Sequence, residues 1–492
     1  MLEVIKQLQP NFPAITKHQW VSIGKREENS VLNRDIYILA YNKRYIKKMT
    51  GLDYECKSLL FVNSEVFLDI GEFKKFSDEI VKRAIKNYTY FTNLSLKLKN
   101  SCNKIKSYSE QIKDKNFQGL KKEFLKKIFD TSIERLVDLV SFSYLLQNQE
   151  EIPKKIIDYI IKKRKVKKRE VDFIRERLLI PPEKKSLFQQ EFQNLLKIAK
   201  KIKEKKYFLK RLPKEMKNEI FTHIKKYDWI NSKYFNVNEV TYAETLKRIA
   251  GFLKMEQKEK IEDQEKEFSQ TVEKIKLNKH EQLLLNSIRE QLYYKTLRKE
   301  LIFLFSYAVK NLFLEIAKKE KLTYQEFISQ TLDEINDFFN QNIVKKQELV
   351  KRVKGFHYIF LEGKKIIIPA EDFKIAMPKA KVSILRGIVG NRGRIKGRVR
   401  VIKTKEELKE LRREEILVID IVSPDYIKYV HGVSGIIINA GGILSHAVLV
   451  AREFKIPCIV GTKNATIVLR TGDIIDLDAT KGKIKIIRKS QI

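Results

Sequence analysis

The stretch "NAGGILSHAVLVAREFKIPCIVG" at 439–461 places His446 between a glycine pair and a run of small and apolar residues. Gly441 and Gly442 can form a turn with positive φ and let another molecule approach the backbone closely. Ser445 is suited to cap a helix, so we predict His446 as the first helical residue. A phosphoryl group on its imidazole would lie beside free amides and the positive end of the helix dipole. The pattern indicates a nucleophilic histidine, or alternatively a structural histidine on a helix packed against a sheet.

Short apolar strands alternate with short helices on both sides of this histidine. The predicted strands are "GRVRVIK", "ILVID", "GIIIN", "CIVG", "DIIDLD" and "KIKII". Helices are predicted at "KEELKELRR", after Ser423-Pro424 and after Ser445. This order predicts a compact α/β domain at 386–492.

The same residues carry a resemblance to a known family. "GGILSHAVLVAREFKIPCIVG" resembles the phosphohistidine signature in the mobile, swivelling domain of phosphoenolpyruvate-utilising enzymes. These include pyruvate phosphate dikinase, phosphoenolpyruvate synthase, enzyme I of the sugar phosphotransferase system and rifampicin phosphotransferase. Flanking "GRIKGRVRVI", "EEILVIDIVSPD", "GVSGIIIN" and "TGDIIDLDATKGKIKII" are similar to this domain in the same order, so the resemblance covers roughly Arg386 to Ile487.

The resemblance implies roles for individual residues. His446 matches the histidine that accepts and donates the phosphoryl group, Ser445 the hydroxyl beside it, and Gly441 and Gly442 the glycines of the active loop. Arg452 stands where the family keeps an arginine.

Two positions leave questions open. Arg452 could contact the phosphate, or it could form a salt bridge to a carboxylate such as Glu453. Ile438 replaces a threonine that many relatives have three places before the glycine pair, so a hydroxyl that could orient the imidazole is missing.

The rest of the chain has a different pattern, and the whole is predicted as a multidomain protein with a mostly α-helical N-terminal region. Residues 86–345 are predicted to be helical, because apolar residues recur at intervals of three and four residues, as in "EFLKKIFDTSIERLVDLV". Capping boxes are predicted at Thr241, Thr323 and Thr331. "DIYILAY" and "SLLFVNSEVFLDI" have strand composition, so 1–85 is predicted as a mixed segment. A hairpin around Glu362-Gly363 and a linker occupy 346–385.

An aromatic cluster in "HIKKYDWINSKYF" is the candidate for an acceptor pocket. Tyr227, Trp229 and Tyr234 combine ring surface with polar groups, which suits an organic ligand. The alternative is aromatic packing between helices. His18, His280, His357 and His431 are scattered along the sequence, so no metal site is predicted.

Composition limits the function classes. Lys and Arg number 100 against 62 Asp and Glu, giving a net charge of +38, but the excess is spread along the chain without a nucleic-acid-binding signature. Nucleic acid is therefore not the expected partner. Three widely spaced cysteines predict neither disulfides nor a zinc site. No signal peptide or membrane span is predicted, so a cytoplasmic location is expected.

The sequence leaves two functions open. The first is phosphoryl transfer through His446 to a small-molecule acceptor. No ATP-grasp pattern or G-x-x-x-x-G-K-[ST] loop is present, and with the chain ending at Ile492 no C-terminal barrel is expected. A Mg-nucleotide or phosphoenolpyruvate would then be bound by a separate ATP-grasp or phosphoenolpyruvate-binding partner, with no cofactor held by this chain. The second function is a non-catalytic helical binding or regulatory protein that retains a swivelling domain.

Overall fold

The chain forms two compact units. A computed structural model describes residues 6–25, 30–147, 151–253, 264–341, 345–374, 384–403, 406–420, 427–430, 432–439, 446–462 and 464–490. The first unit comprises Met1–Lys184, Ser232–Val237 and Lys260–Met377. The second unit comprises Lys185–Asn231, Asn238–Glu259 and Pro378–Ile492.

The described elements follow in chain order. The helices are α1 Val31–Ala40, α2 Lys43–Thr50, α3 Ile70–Lys86, α4 Tyr88–Ile112, α5 Lys122–Gln147, α6 Glu151–Lys163, α7 Val171–Leu178, α8 Leu187–Glu204, α9 Lys214–Tyr227, α10 Tyr242–Leu253, α11 Gln264–Ile275, α12 Lys279–Ala308, α13 Lys310–Lys319, α14 Tyr324–Ile328, α15 Leu332–Gln341, α16 Lys346–Lys354, α17 Ile427–Val430, α18 His446–Glu453 and α19 Ala465–Val468. The strands are β1 Trp20–Lys25, β2 Ser58–Val62, β3 Glu65–Asp69, β4 Phe356–Leu361, β5 Lys364–Pro369, β6 Ile384–Arg386, β7 Ile388–Asn391, β8 Arg394–Ile402, β9 Ile416–Ile419, β10 Gly435–Ile438, β11 Cys458–Val460, β12 Ile474–Asp478 and β13 Lys483–Arg488. Short 3₁₀ turns lie at Pro13–Lys17, Lys168–Glu170, Leu209–Arg211 and Glu406–Glu410.

An antiparallel sheet in the first unit joins strands from distant parts of the chain. Its order is β1-β3-β2-β4-β5, so the predicted hairpin β4–β5 pairs with the N-terminal strands through β2 and β4. The β2–β3 turn has positive φ at Asn63 and Ser64, and the β4–β5 turn at Glu362 and Gly363. Two consecutive positive φ angles are the geometry of a type I′ turn, whose twist matches that of paired strands.

The strand predicted at "DIYILAY" is wrong, because this segment belongs to helix α1. Ser30 caps the helix by accepting a hydrogen bond from the Asn33 amide at 3.2 Å. Nearly every residue of α1 is buried, including the polar Asp35. A helix that is buried on all sides has no polar stripe, so its hydrophobic pattern cannot be distinguished from that of a buried strand.

The predicted helical character of the middle of the chain is confirmed. The stretch "EFLKKIFDTSIERLVDLV" lies in α5, and its apolar stripe contributes the buried residues Leu125, Phe129 and Leu136. The capping box at Thr323 forms, since its hydroxyl accepts from the Glu326 amide and the Glu326 carboxylate accepts from the Thr323 amide. These contacts satisfy amide groups that the helix itself leaves free.

A mixed sheet forms the centre of the second unit. Its order is β6-β13-β12-β8-β9-β10-β11-β7. Strands β8, β9, β10 and β11 are parallel to one another, and the outer strands are antiparallel. All the strands predicted for 386–492 are found, whereas "KEELKELRR" forms the 3₁₀ turn Glu406–Glu410 instead of a helix. The α/β class predicted for this region is therefore confirmed.

Helices α8, α9 and α10 also belong to the second unit, although the sequence assigned them to one helical segment at 86–345. One hydrophobic cluster joins them to a face of the sheet and to α18. It includes Leu195 of α8, Ile220 of α9, Ile249 of α10, Ile436 of β10 and Val448 of α18. Each fully buried aliphatic side chain contributes about 1.5–3 kcal/mol, so these helices are an integral part of the unit's core.

Candidate functional site

His446 is the first residue of α18, as the sequence predicted. Helix α18 follows strand β10, one of the two inner strands of the parallel set, with residues 439–445 between them in the chain. The predicted site residues Gly441, Gly442 and Ser445 lie outside the described residues. The carboxyl ends of β9, β10 and β11 meet at one edge of the sheet, which is where ligands bind in open α/β sheets.

Close packing between α18 and the sheet depends on a glycine. A Cβ atom on Gly390 in β7 would lie 2.8 Å from a methyl of Val448 and 3.1 Å from the Cys458 sulfur. Arg452 completes this contact, because its Nε donates to the Gly390 carbonyl at 3.1 Å. The sequence suggested either a phosphate contact or a salt bridge for Arg452, and this bond to a strand carbonyl is neither of those two. Burial raises the pKa of the Cys458 thiol to about 12, which leaves it unreactive.

Asn439, the residue that follows β10, connects the ends of several strands. Its Oδ1 accepts from the Ala465 amide at 2.6 Å and from the Thr462 hydroxyl at 3.0 Å. Its Nδ2 donates to the Thr466 hydroxyl at 2.6 Å and to a carboxylate oxygen of Asp420. The Thr466 hydroxyl donates to the same Asp420 oxygen at 2.7 Å. These bonds tie together the ends of β9, β10 and β11 and the start of α19.

Sequence analysis missed this polar cluster, although a signal was present. Asp420 comes directly after the buried strand β9, and Asn439 directly after the buried strand β10. Polar side chains at the carboxyl ends of consecutive parallel strands share one edge of a sheet. Asn439 also stands next to Ile438, the position of the missing threonine, but its bonds are directed to the sheet edge and α19. The cluster therefore fixes the carboxyl end of β10, the last described strand before His446 in the chain.

A second polar cluster is buried among α8, α9 and α10. Arg248 donates two hydrogen bonds to Glu191, at 2.6 and 2.7 Å, and His223 Nε2 lies 3.0 Å from Glu191 Oε1. Burial alone would raise the pKa of Glu191, but the Arg248 charge and the hydrogen bonds from His223 and Arg248 lower it to about 2. The His223 Nδ1 atom lies 2.7 Å from Asn194 Oδ1. The cluster orients the three helices that cover the sheet.

The aromatic residues predicted to form an acceptor pocket are divided between the units. Tyr227 and Trp229 lie in the second unit and Tyr234 lies in the first. Trp229 is 3% exposed and stacks on Phe188 at 5.7 Å, and Tyr234 meets Phe303 edge-on at 5.2 Å. Tyr227 is 5% exposed and packs beside the histidine of the buried cluster. Their observed contacts are those of aromatic packing.

Among the described residues, one group of potential metal ligands comes together in the first unit. Ligand atoms of His18, Asp69 and Glu72 lie within 4.8 Å of one another. These atoms already have partners, since His18 Nδ1 lies 2.6 Å from Asp69 Oδ2 and Asp69 Oδ1 caps α3 by accepting from the Gly71 amide. Glu72 accepts from the Lys57 amide at 3.2 Å. The group is a hydrogen-bonded network that needs no ion to satisfy it. In the described part of the chain, no helix is long and apolar enough to cross a bilayer.

The fold and this edge of the sheet define a class: an α/β domain with a histidine at the start of a helix beyond a parallel strand. The segment 411–482 matches the family model of the PEP-utilising enzyme, mobile domain. This chain therefore carries a mobile domain of the PEP-utilising enzymes in its C-terminal part. At the level of that family, the match supports phosphoryl transfer through a phosphohistidine.

Similar proteins agree with this assignment. A probable phosphoenolpyruvate synthase of Methanothermobacter thermautotrophicus is 33% identical over 124 residues, which are 25% of this chain and 18% of that protein. The uncharacterized phosphotransferase YvkC of Bacillus subtilis is 38% identical over 104 residues, 21% of this chain and 12% of that protein. The phosphoenolpyruvate synthase of Aeropyrum pernix is 36% identical over 110 residues, 22% of this chain and 13% of that protein. The chain thus matches under a fifth of the length of each of these relatives.

Proposed function

We propose that His446 carries a phosphoryl group between a donor bound by a partner protein and an acceptor. One observation carries the proposal: the Gly-Gly and Ser-His stretch lies inside the family-matched segment, and His446 begins the helix at the carboxyl edge of the parallel strands. Ser445, Gly441 and Gly442 are proposed to surround the phosphoryl group. Arg452 holds the helix that presents the histidine through its bond to Gly390.

The proposed chemistry consists of two in-line displacements. In the first, a ring nitrogen of His446 attacks the phosphorus of the donor, a P–N bond forms, and the P–O bond to the leaving group breaks. In the second, an acceptor oxygen attacks the same phosphorus, the P–N bond breaks, and the acceptor hydroxyl proton passes to a base or to solvent. Free amides at the start of α18 stabilise the negative charge in both steps.

The donor is proposed to be a Mg-nucleotide or phosphoenolpyruvate bound by a separate protein. The sequence supports this assignment, because it contains no G-x-x-x-x-G-K-[ST] loop, and its glycine-rich stretch at 387–397 lacks the Lys-Ser/Thr ending. Gly390 in that stretch has a packing role against α18. A small-molecule acceptor is proposed as the second substrate.

The test is the intact mass of the protein after incubation with ATP or phosphoenolpyruvate, with and without cell extract as a source of the donor protein. Masses are measured at neutral pH, because phosphohistidine is labile in acid. We expect one added phosphoryl group in the wild type, and none in His446→Ala. His280→Ala serves as the control, since His280 is an exposed histidine of the first unit and should leave the gain unchanged.

Two outcomes would count against the proposal. One is a failure of folded wild-type protein to gain a phosphoryl group under any of the conditions, which would favour a non-catalytic helical binding protein. The other is an equal gain in His446→Ala.

A further inference from the structure

Helices α8 and α9 of the second unit are joined by a strongly basic stretch, residues 203–214, which we call the α8–α9 turn. Six of its residues are basic and one is acidic, whereas the chain as a whole averages about one net positive charge per 13 residues. The basic side chains are all exposed, and none forms an ion pair within the part of the chain that the structure describes: Lys203, Lys205, Lys206, Lys210, Arg211 and Lys214.

The acidic residues beside the turn are engaged by other lysines. Glu204 is paired with Lys200 at 3.8 Å, and Glu219 is paired with Lys201 at 2.7 Å. Glu219 and, to a smaller extent, Glu215 raise the pKa of Lys201. The positive charge of the α8–α9 turn therefore remains after these pairs are counted.

Phe208 lies at the centre of the turn and is 80% exposed, more than any other large apolar side chain in the described ranges. Its neighbours Tyr207 and Leu209 are half-buried and pack against the hydrophobic cluster that joins α8, α9 and α10 to the sheet. These two contacts anchor the backbone on both sides of Phe208, so its ring is held in solvent.

A second turn with the same backbone shows that the fold does not need an apolar residue at this position. This α6–α7 turn, residues 164–170, belongs to the first unit. In each turn a lysine after the first helix has a positive φ, 52° at Lys165 and 54° at Lys206, and a 3₁₀ turn begins three residues later. The residue before the 3₁₀ turn has φ −61° and ψ 135° at Lys167, and φ −83° and ψ 128° at Phe208. Lysine suffices there, so the backbone does not explain the exposed ring.

The chemistry of the α8–α9 turn favours a surface of anionic lipid as its partner. Each lysine near anionic headgroups is attracted to them, and an aromatic side chain at the tip adds the burial of its ring at the membrane interface. Neither contribution needs a complementary pocket. A stable protein interface buries about 800 Å² on each partner around several apolar side chains, whereas this turn fully exposes only Phe208. Bases of single-stranded nucleic acid stack on rings along a groove, whereas Phe208 projects from a turn between helices.

We propose that the α8–α9 turn anchors the protein peripherally to bilayers that contain anionic lipid. The Phe208 ring enters the boundary between headgroups and acyl chains, and the lysines on both sides pair with anionic headgroups. The inference is independent of the phosphoryl transfer proposed for His446, and its test uses no phosphoryl donor.

The first experiment measures co-sedimentation of the full chain with vesicles of phosphatidylcholine, alone or with about 30% phosphatidylglycerol. We expect binding only to the anionic vesicles. A net charge of +38 gives every part of the surface some attraction to them, so the proposed anchor must be separated from this general effect. Phe208→Ser leaves the charge unchanged and should weaken binding at least about fivefold, because the burial of the ring is lost.

Charge-matched double variants of the two turns locate the electrostatic part of the binding. Lys206→Gln/Lys210→Gln removes the charges two residues before and after Phe208, and should weaken binding at least about tenfold. Lys165→Gln/Arg169→Gln removes two charges from the equivalent positions of the α6–α7 turn. This control should weaken binding at most about twofold, because it changes only the field of the whole molecule.

Tryptophan fluorescence tests the insertion of the tip directly. The two native tryptophans, Trp20 and Trp229, are buried, so their emission should not respond to vesicles. Phe208→Trp adds an indole at the tip, and its emission should shift to shorter wavelength and be quenched by brominated lipid in anionic vesicles. Leu283→Trp adds an indole at an exposed position of α12 and should show neither effect.

Four results would overturn the inference. They are undiminished binding in Phe208→Ser, an equal loss of binding in both double variants, an indole at position 208 that brominated lipid does not quench, and tighter binding of Phe208→Trp to a single-stranded oligonucleotide than to anionic vesicles. The last result would identify nucleic acid as the partner of the turn.

Discussion

Two buried carboxyl groups, one in each unit, have pKa values that are shifted in opposite directions. Glu191 in the second unit is paired with Arg248 and His223, which lower its pKa to about 2 despite its complete burial. Glu320 in the first unit is 6% exposed, and burial raises its pKa to about 7, with only partial opposition from a Gln330 hydrogen bond and the Lys122 charge. Burial therefore does not decide by itself whether a carboxyl group is charged; the neighbouring groups decide it.

Glu191 and Glu320 also differ in the number of partners that each carboxyl group has. The ionised Glu191 lies on α8 and is bonded to His223 of α9 and Arg248 of α10, so its charge links the three helices. Glu320 receives one hydrogen bond, from Gln330 at 2.8 Å, and its other oxygen is buried with no partner among the described residues. The first arrangement stabilises the folded state at neutral pH, and the second opposes it.

The largest effect is expected at Glu191. Glu191→Gln leaves the charge of Arg248 buried without a counter-charge, which should destabilise the second unit by about 3–5 kcal/mol. The loss is measured as faster hydrogen exchange in α8, α9 and α10 at pH 7. The control is Glu204→Gln, which removes an exposed partner of Lys200 and should cost under about 0.5 kcal/mol. Unchanged exchange in Glu191→Gln would contradict the proposed role of the ion pair.

Glu191 also predicts how the free energy of unfolding of the second unit changes at acid pH. The pKa of Glu191 is lower in the folded state than its ordinary value of 4.5, so its contribution is fully present above that value and is lost as the pH falls toward about 2. Stability from this group should therefore be constant between pH 7 and about pH 5.

Glu320 should respond in the opposite direction. Its pKa is raised in the folded state, so its contribution is present below the ordinary value of 4.5 and is lost as the pH rises through about 7. Glu320→Gln has a similar shape without a charge, and should stabilise the first unit by about 2–3 kcal/mol at pH 8. At pH 4.5 the difference should nearly disappear. Thermal unfolding of the variant and the wild type at both pH values measures it, and an equal change at both would rule out proton linkage at this group.

The sequence predicted local structure well where turn-forming residues separate the elements. Glycine, proline and serine bound the short apolar runs that were predicted as strands, and those runs form six of the eight strands of the second sheet in the predicted order; β6 and β7 were not predicted. The prediction of secondary structure failed at α1, because a helix that is buried on every side lacks the polar face by which a helix is recognised in a sequence. Long-range pairing was also missed: β2 and β4 are adjacent in the sheet although Leu60 and its partner Ile359 are far apart in the chain.

The candidate site was likewise predicted only in part. The position of His446 at a helix start followed from a local pattern of residue types. The Asn439 cluster did not, because its members Asp420 and Thr466 meet only when β9, β10 and α19 come together. Likewise, an apolar stripe on α8 shows that the helix needs a partner but does not identify the C-terminal sheet as that partner.

The smallest effect is expected from a single hydroxyl in each unit. Thr466→Val removes a donor to Asp420 and an acceptor for Asn439 without a change of shape, so the half-buried Asp420 carboxylate and the buried Asn439 amide each lose a partner. We expect a loss of about 1–2 kcal/mol and slower phosphorylation of His446, because the carboxyl end of β10 is less fixed. In Thr271→Val, the lost hydroxyl only bonded to the Glu267 carbonyl of its own helix, so the cost should be under about 1 kcal/mol with no effect on phosphorylation. Urea unfolding and the phosphorylation rate separate the two variants. Equal rates in both would show that the Asn439 cluster stabilises the sheet edge without positioning the histidine.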